Sequence, residues 1–376
     1  TATMPGGAGS GTSTGNGIAG GATVRPMQHN RIAPDWLTPT WLSEVLGVDI
    51  DDVAYERIGD GLVGLNLRVT IRSTDAAAPG SVVLKLPSLD ETSRATGVAL
   101  RNYEREVKFY EHIADTVDIR VPHCHHGTWD ESTGDFVLVL EDMAPAAQGD
   151  QVAGCDVDTA AEAVSELARL HAPRWDDPSL ADHEFLQRRT GPEDAAQLAG
   201  LWEMFRPGFD ATYGPYLTDD ARRVLDAFGP RLTDWVESRT GPHTVTHGDY
   251  RLDNLLFATE AGGPPVTAVD WQTPGHGGPV GDLAYFLGAG LQPEDRRRAE
   301  SELLAVYRNG LAEGGVAIDD EWLWTQYRRD AFGGVIMSVV ASQVVGGSDR
   351  SEAMFAAMAT RHLEHCVDLD ALDVIG

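Results

Sequence analysis

Two short apolar runs joined through glycine and proline constrain this chain more than any other stretch. They are Leu255-Leu256-Phe257 and Val266-Thr267-Ala268-Val269, with Gly262-Gly263-Pro264-Pro265 between them. Apolar runs separated by turn residues predict a β-hairpin with a longer loop. Pairing about the middle of that loop sets Asn254, entering the first strand, beside Asp270, leaving the second. An amide oxygen and a carboxylate side by side are hard donors suited to Mg2+.

Just upstream, Val245-Thr246-His247-Gly248-Asp249-Tyr250-Arg251-Leu252-Asp253-Asn254 carries a second pattern. His247, Asp249 and Asn254 stand at the spacing of a kinase catalytic loop, in which the Asp accepts the substrate hydroxyl proton and the Asn holds a metal ion. The same residue types also make a plain turn with an Asx cap. The hairpin and the second acidic residue weigh against the turn alone. The stretch resembles the aminoglycoside phosphotransferase and choline kinase superfamily. Within it, Asp270-Trp271-Gln272 followed by Gly281-Asp282-Leu283-Ala284-Tyr285-Phe286-Leu287 is most similar to the ecdysteroid kinase-like branch. The resemblance covers roughly Ile58 to Leu287. It implies an α+β, two-lobed protein-kinase-like fold with a small antiparallel-sheet N-lobe and a larger, mostly helical C-lobe. It also implies a catalytic Asp249 and metal ligands Asn254 and Asp270.

The matching pieces occur in order upstream. Arg57-Ile58-Gly59-Asp60-Gly61-Leu62-Val63-Gly64 is a Gly-rich turn between strand-like runs. The resemblance places Gly61 over the nucleotide phosphates, although the glycines depart from G-x-G-x-x-G. Ser81-Val82-Val83-Leu84-Lys85-Leu86-Pro87 is a β-branched strand bearing one Lys. An isolated strand Lys snorkels to water; the resemblance instead makes Lys85 the phosphate-binding lysine, steadied by a helix Glu. A helix is predicted from Ala99 to Ile113, with Tyr103, Val107, Tyr110 and Ile113 on one face. Glu106 matches the ion-pair position, and Glu104 is the alternative. Asp135 to Met143 is a strand ending in an acidic pair. By resemblance it is the hinge, where backbone groups around Glu141 to Met143 bind the adenine edge. His123, Cys124, His125 and His126 resemble a metal cluster in composition only, because neighbours on a strand point to opposite faces. They are read as surface imidazoles at a strand entry.

Residues 1–28 are expected to form a disordered tail, because Thr1 to Gly21 is Gly/Ser/Thr/Ala-rich and cannot bury enough surface to offset its ordering entropy. Trp36 to Gly47 predicts a short helix with a Thr before it and a Gly at its end. The N-lobe is assigned to 29–143 and the C-lobe to 144–376. In the latter, an amphipathic helix is expected at Thr159–His171, and Glu184–Phe205, Thr218–Glu237, Glu294–Gly310, Asp320–Val345 and Ser351–Leu372 are expected to be mostly helical, with breaks. His171 and His247 are expected in packing and hydrogen bonding. The helices expected to line the acceptor pocket supply Trp202, Met204, Phe205, Phe209 and Tyr213 close together, although aromatic clusters at such spacing are more often core than ligand wall.

With 29 basic and 58 acidic residues the chain carries a formal charge of −29. That argues against nucleic acid and anionic membranes as partners. Three cysteines without repeated spacing indicate neither a disulfide framework nor a zinc ribbon. The apolar run from Ala331 towards Val345 is interrupted and too short to span a bilayer. A soluble, cytoplasmic protein is expected. The reading as a whole is an ATP- and Mg2+-dependent phosphotransferase acting on a hydroxyl of a small molecule, such as a bulky apolar alcohol. A cationic acceptor of the aminoglycoside or choline kind is one alternative, and a non-catalytic nucleotide-binding module is another. Asp-Phe-Gly and Ala-Pro-Glu are missing from the sequence, which argues against a protein kinase with an activation loop.

Overall fold

The structure is a computed structural model that describes residues 33–59, 64–187, 191–344 and 348–375. The tail assigned to residues 1–28 and the glycine-turn residue Gly61 lie outside the described residues. The first element, α1 (Pro39–Leu46), begins three residues later than the stretch read from Trp36, with the Thr and Gly bounds that the sequence predicts. The Thr38 side chain accepts the Trp41 N–H at 3.2 Å, and Gly47 ends the helix at φ 69°. Such a cap contributes about 1 kcal/mol. Leu42 carries the helix onto the small-lobe sheet.

That sheet comprises β1 (Asp52–Arg57), β2 (Gly64–Arg72), β3 (Ser81–Pro87), β4 (Cys124–Trp129) and β5 (Phe136–Glu141), antiparallel in the order β1-β2-β3-β5-β4. Val82, Leu84 and Leu86 of β3 join Leu65, Leu67 and Val69 of β2 in one apolar layer. The strand's period of two therefore turns Lys85 to the opposite face, paired in register with Asn66 and Leu138. On that face lie α2 (Glu91–Ala99) and α3 (Asn102–His112). The helix predicted from Ala99 is broken here, because Arg101 adopts φ 59° between the two. Tyr103, Val107, Tyr110 and Ile113 are buried together as their spacing predicts. They belong to a second core that runs from the sheet into the helical lobe.

The helical lobe begins after β6 (Ala147–Gln148) with α4 (Val157–His171) and α5 (Pro192–Tyr213). The start predicted at Glu184 is instead a single 3-10 turn, and α5 opens at Pro192. The stretch read as mostly helical with breaks from Thr218 divides at Gly229-Pro230 into α6 (Asp219–Phe228) and α7 (Leu232–Ser238). Then come β7 (Thr244–Thr246), β8 (Leu255–Thr259), β9 (Gly262–Ala268), β10 (Gly275–Gly277), α8 (Val280–Gly290) and α9 (Pro293–Glu313). The lobe closes with α10 (Asp320–Asp330), α11 (Phe332–Val344) and α12 (Asp349–Asp368). Helix α8 is buried along nearly its whole length, so it lacks the polar stripe by which a helix is read from sequence.

The β8–β9 hairpin departs from its predicted form. Its turn is Glu260-Ala261, closed by Thr259 opposite Gly262, and Gly262 to Pro265 lie within β9. Two features permit this. Strand β9 is the edge of the order β6-β8-β9, where prolines without N–H groups interrupt no ladder. Gly262 and Gly263 take φ 117° and 110°, a region closed to other residues. Among the described residues, no helix is long and apolar enough to cross a membrane.

Candidate active site

The loop between β7 and β8 is held by its backbone. Gly248, at φ 80°, donates its N–H to Asp282 Oδ1 at 2.9 Å, and His247 donates its N–H to Oδ2 at 2.6 Å. Burial opposes the charge of Asp282, but His171 and the loop N–H of His247 outweigh it and hold the pKa below the usual carboxylate range. His171 in turn bonds the Tyr307 hydroxyl at 2.8 Å. The His247 ring is fully buried, bonds the Val269 carbonyl at 3.0 Å and packs on Trp271. Both histidines thus have the structural roles expected of them.

With its backbone fixed, the loop presents Asp249. The carboxylate accepts from Tyr285 Oη at 2.9 Å, from Asn254 Nδ2 at 2.8 Å and from Arg251 Nε at 3.1 and 3.2 Å. Arg251 also bonds Asp253 at 2.7 Å. Asp253 meets the backbone N–H of Gln151 at 2.9 Å and Arg350 at 3.1 Å. The loop is therefore laced to the start of the helical lobe and to α12. With its Nδ2 given to Asp249, the amide of Asn254 has its oxygen end left as the acceptor.

Asp270 arrives through the hairpin. Strand pairing continues past Leu255 and Ala268 to a bond from Val269 N–H to the Asn254 carbonyl at 2.9 Å, so the residues on either side of the hairpin base are neighbours. Asp270 itself turns at φ 66°, a conformation that costs a side chain roughly 1–2 kcal/mol. Its Oδ1 accepts Lys85 Nζ at 2.7 Å, and the same ammonium donates to Glu106 Oε1 at 2.5 Å. Lys85 is 7% exposed and Glu106 fully buried. Burial disfavours the lysine's charge, but Asp270 and Glu106 overcome it and its pKa rises. Burial pushes the Glu106 carboxyl up against the pull of Lys85. Asp270 stays low, because Lys85 outweighs its burial. Of the two glutamates, Glu106 pairs with Lys85, while Glu104 bonds Arg101 and Lys108.

Lys85, Asp249, Asn254 and Asp270 line one cleft of about 980 Å3 between the lobes. Glu141 and Met143 stand beyond its lining residues. Glu141 is tied to Arg120 at 2.6 Å, and its N–H bonds the His123 carbonyl. Of the two readings of the aromatic cluster, wall or core, the cleft takes none of its residues and most of it is core. Trp202, Phe209 and Tyr213 are buried in the helical core, Met204 is exposed to solvent, and Phe205 is not among the lining residues. Instead, α11 and α12 supply Met337, Ala341, Met354, Phe355 and Met358. Sequence reasoning also missed Arg251, Tyr285 and Asp282. The first has a visible signal, since Arg251 alternates with Asp249 and Asp253 inside the motif. The other two act from α8, 35 and 36 residues away; they stand in the stretch that carries the resemblance, but no local pattern assigns them to the loop.

For a metal ion, the fitting donors are Asn254 and Asp270, both oxygen donors. Among the described residues no group of three or more His, Cys, Asp or Glu is arranged to hold one. Two protein ligands suit Mg2+, which is completed by water and phosphate oxygens. The His123, His125 and His126 imidazoles do not converge. The first two meet edge-on at 4.8 Å, and His126 packs on Trp41.

The sequence profile of the ecdysteroid kinase-like family matches residues 59–315. No curated protein matches the sequence. Among solved structures, choline kinase from Cryptosporidium parvum is similar at a TM-score of 0.56 and 11% identity, over 86% of this chain and 91% of that one. The microcompartment-associated aminopropanol kinase is similar at 0.51 and 13%, over 90% and 99%. The GDP and kanamycin complex of the aminoglycoside phosphotransferase APH(2″)-IIIa is similar at 0.50 and 15%, over 80% and 89%. What is shared at these identities is the fold, the two-lobed architecture of small-molecule kinases.

Proposed function

The chain belongs to the ecdysteroid kinase-like family, and on that premise we propose that it is an ATP- and Mg2+-dependent phosphotransferase acting on a hydroxyl of a small molecule. One observation carries the reading. Lys85 of the sheet reaches Asp270 of the helical lobe at 2.7 Å, in the cleft that also holds Asp249. A buried ammonium shared by two carboxylates is costly to maintain for stability alone. It is the arrangement that phosphate oxygens, once bound, exchange into.

In this reading Lys85, steadied by Glu106, binds phosphate oxygens. Asn254 and Asp270 hold Mg2+, whose charge offsets that of the phosphates. The Gly61 turn serves the nucleotide phosphates. Asp249 orients the acceptor hydroxyl and takes its proton. The hydroxyl oxygen forms the new bond to the γ-phosphorus as the bond to the β-phosphate oxygen breaks, and ADP leaves. The donors on Asp249 from Tyr285, Asn254 and Arg251 fix its orientation, so most of the rate enhancement is positioning and charge stabilisation.

The acceptor is a bulky, largely apolar alcohol. The wall formed by Met337, Met354, Phe355 and Met358 supports this, since thioethers adapt to irregular apolar shapes. A cationic acceptor lacks a reader: among the described lining residues the carboxylates are Asp249, Asp253 and Asp270, and each is paired with Arg or Lys. The reaction is placed in the cytoplasm, with ATP as donor. Incubation with ATP, Mg2+ and a panel of alcohols tests the proposal. Nucleotide binding without phosphotransfer to any alcohol would leave a binding module in its place.

A further inference from the structure

A second cavity of about 490 Å3 lies behind the catalytic loop, lined by Gly248 and, on the side of the main cleft, by Tyr285 and Met337. These last two residues line both spaces. Because the Tyr285 hydroxyl touches Asp249 at 2.9 Å, the cavity is separated from the reacting carboxylate by the thickness of one side chain.

Its charge balance is unlike that of the chain. Among the described lining residues the carboxylates are Asp282 and Asp330. Asp282 is committed to the backbone of the catalytic loop. Asp330 is buried and shared by two guanidiniums, Arg329 Nε at 3.3 Å and Arg239 Nε at 3.7 Å. Arg329 is occupied further by the Ser238 carbonyl at 2.9 Å and by Gln326. Arg239 lies over the Trp235 ring at 4.8 Å with its side chain 32% exposed. Two cations against two carboxylates leave this wall neutral in a protein of formal charge −29, and among the described residues the Arg239 guanidinium reaches Asp330 only at 3.7 Å, outside hydrogen-bond distance, which leaves its N–H groups open to a ligand. The imidazoles of His243 and His276 meet edge-on at 5.2 Å beside it. Trp322 and Ile336 make the remainder apolar.

We propose that this cavity binds the carboxylate end of the acceptor, through Arg239, while the acceptor's hydroxyl lies at Asp249. The substrate class is then an apolar hydroxy acid that passes Tyr285 and Met337 between the two spaces. This inference rests on the phosphotransferase reading for the hydroxyl end, while the anion end stands on the cavity itself.

The test is calorimetric titration of the full chain, without nucleotide, with ω-hydroxydodecanoate and with the α,ω-diol of the same length. A charged hydrogen-bonded contact predicts that the acid binds about tenfold tighter or more. Arg239→Gln should bring the two ligands to the same affinity, while Arg239→Lys, which keeps the charge, should retain a preference for the acid. Loss of preference in Gln with its retention in Lys cannot come from misfolding. No preference in the parent, whether through equal binding or through none, overturns the proposal, as does a preference that survives Arg239→Gln. Dodecanoate, which lacks the hydroxyl, should compete with phosphorylation of the hydroxy acid. If it binds without slowing that reaction, the site belongs to a separate ligand and the acceptor assignment fails. Phosphotransfer is read separately: its absence with every alcohol would sink the kinase reading and leave an Arg239-dependent preference standing.

Discussion

The two walls of the main cleft are built by opposite means. On the charged wall, Lys85, Glu106 and Asp270 come from β3, α3 and the hairpin end and meet through bonds of 2.5 and 2.7 Å. On the apolar wall, Met337, Ala341, Met354, Phe355 and Met358 come from two packed helices and offer apolar surface. A buried charge tolerates little displacement before its desolvation is uncompensated, whereas an apolar wall requires only volume. In the proposed phosphotransferase, chemistry would thus be pinned to particular residue types, and acceptor choice would be free to change with helix packing.

The largest effect that would break this contrast is on the charged wall. Asp270→Ala should abolish Mg2+-dependent nucleotide binding. Lys85→Ala should weaken nucleotide binding and leave its Mg2+ dependence in place, because an ammonium cannot ligate a metal. Magnesium titrations against bound nucleotide check both, and parental Mg2+ dependence in Asp270→Ala would contradict the assignment. On the apolar wall, Met337→Asp should raise the KM for apolar alcohols by about tenfold or more, the cost of losing part of a buried side chain, with nucleotide affinity unchanged. Parent turnover should favour apolar alcohols over aminoglycosides, and acceptor affinity should respond weakly to ionic strength because screening acts little on buried contacts. Efficient, salt-sensitive turnover of an aminoglycoside would reverse the contrast.

Smaller effects sharpen it. Tyr285→Phe removes one of the donors that orient Asp249 and should lower kcat about tenfold, the worth of a hydrogen bond to a charged group, with KM for ATP unmoved. Behind Tyr285, the ring of His362 stacks at 5.2 Å, and burial pushes its pKa down to about 3. The unfolded chain binds a proton on this residue near pH 6.5 and the folded chain does not. Its contribution to stability is therefore full above pH 6.5 and falls by about 1.4 kcal/mol per pH unit below it, until about pH 3. His362→Phe should flatten that part of the stability profile measured by denaturant titration.

What could be read from the sequence follows the same division. The spacing from His247 to Asn254, the single Lys85 in a β-branched strand and the apolar face of α3 are local patterns, and each is realised in the fold. The hairpin was legible as an element and misplaced in its turn, because Gly262 to Pro265 look like a loop unless the edge position of β9 is known. Arg101 breaks the helix without glycine or proline, so nothing local marks the boundary. The wall of α11 and α12 was not legible at all. Its residues are ordinary core types, and only long-range packing decides that Met337 and Met354 face a cleft while Phe209 and Trp202 do not.

The most direct test of the central claim, that Asp249 acts on the acceptor hydroxyl while other groups hold nucleotide, is a paired measurement on Asp249→Asn. Nucleotide affinity in the presence of Mg2+ and single-turnover phosphotransfer to a parent-active alcohol are measured on the same preparation. The expected result is near-parental affinity with transfer slowed by at least ~10²-fold, the lower range for a positioned general base. Near-parental transfer by the variant would contradict the account.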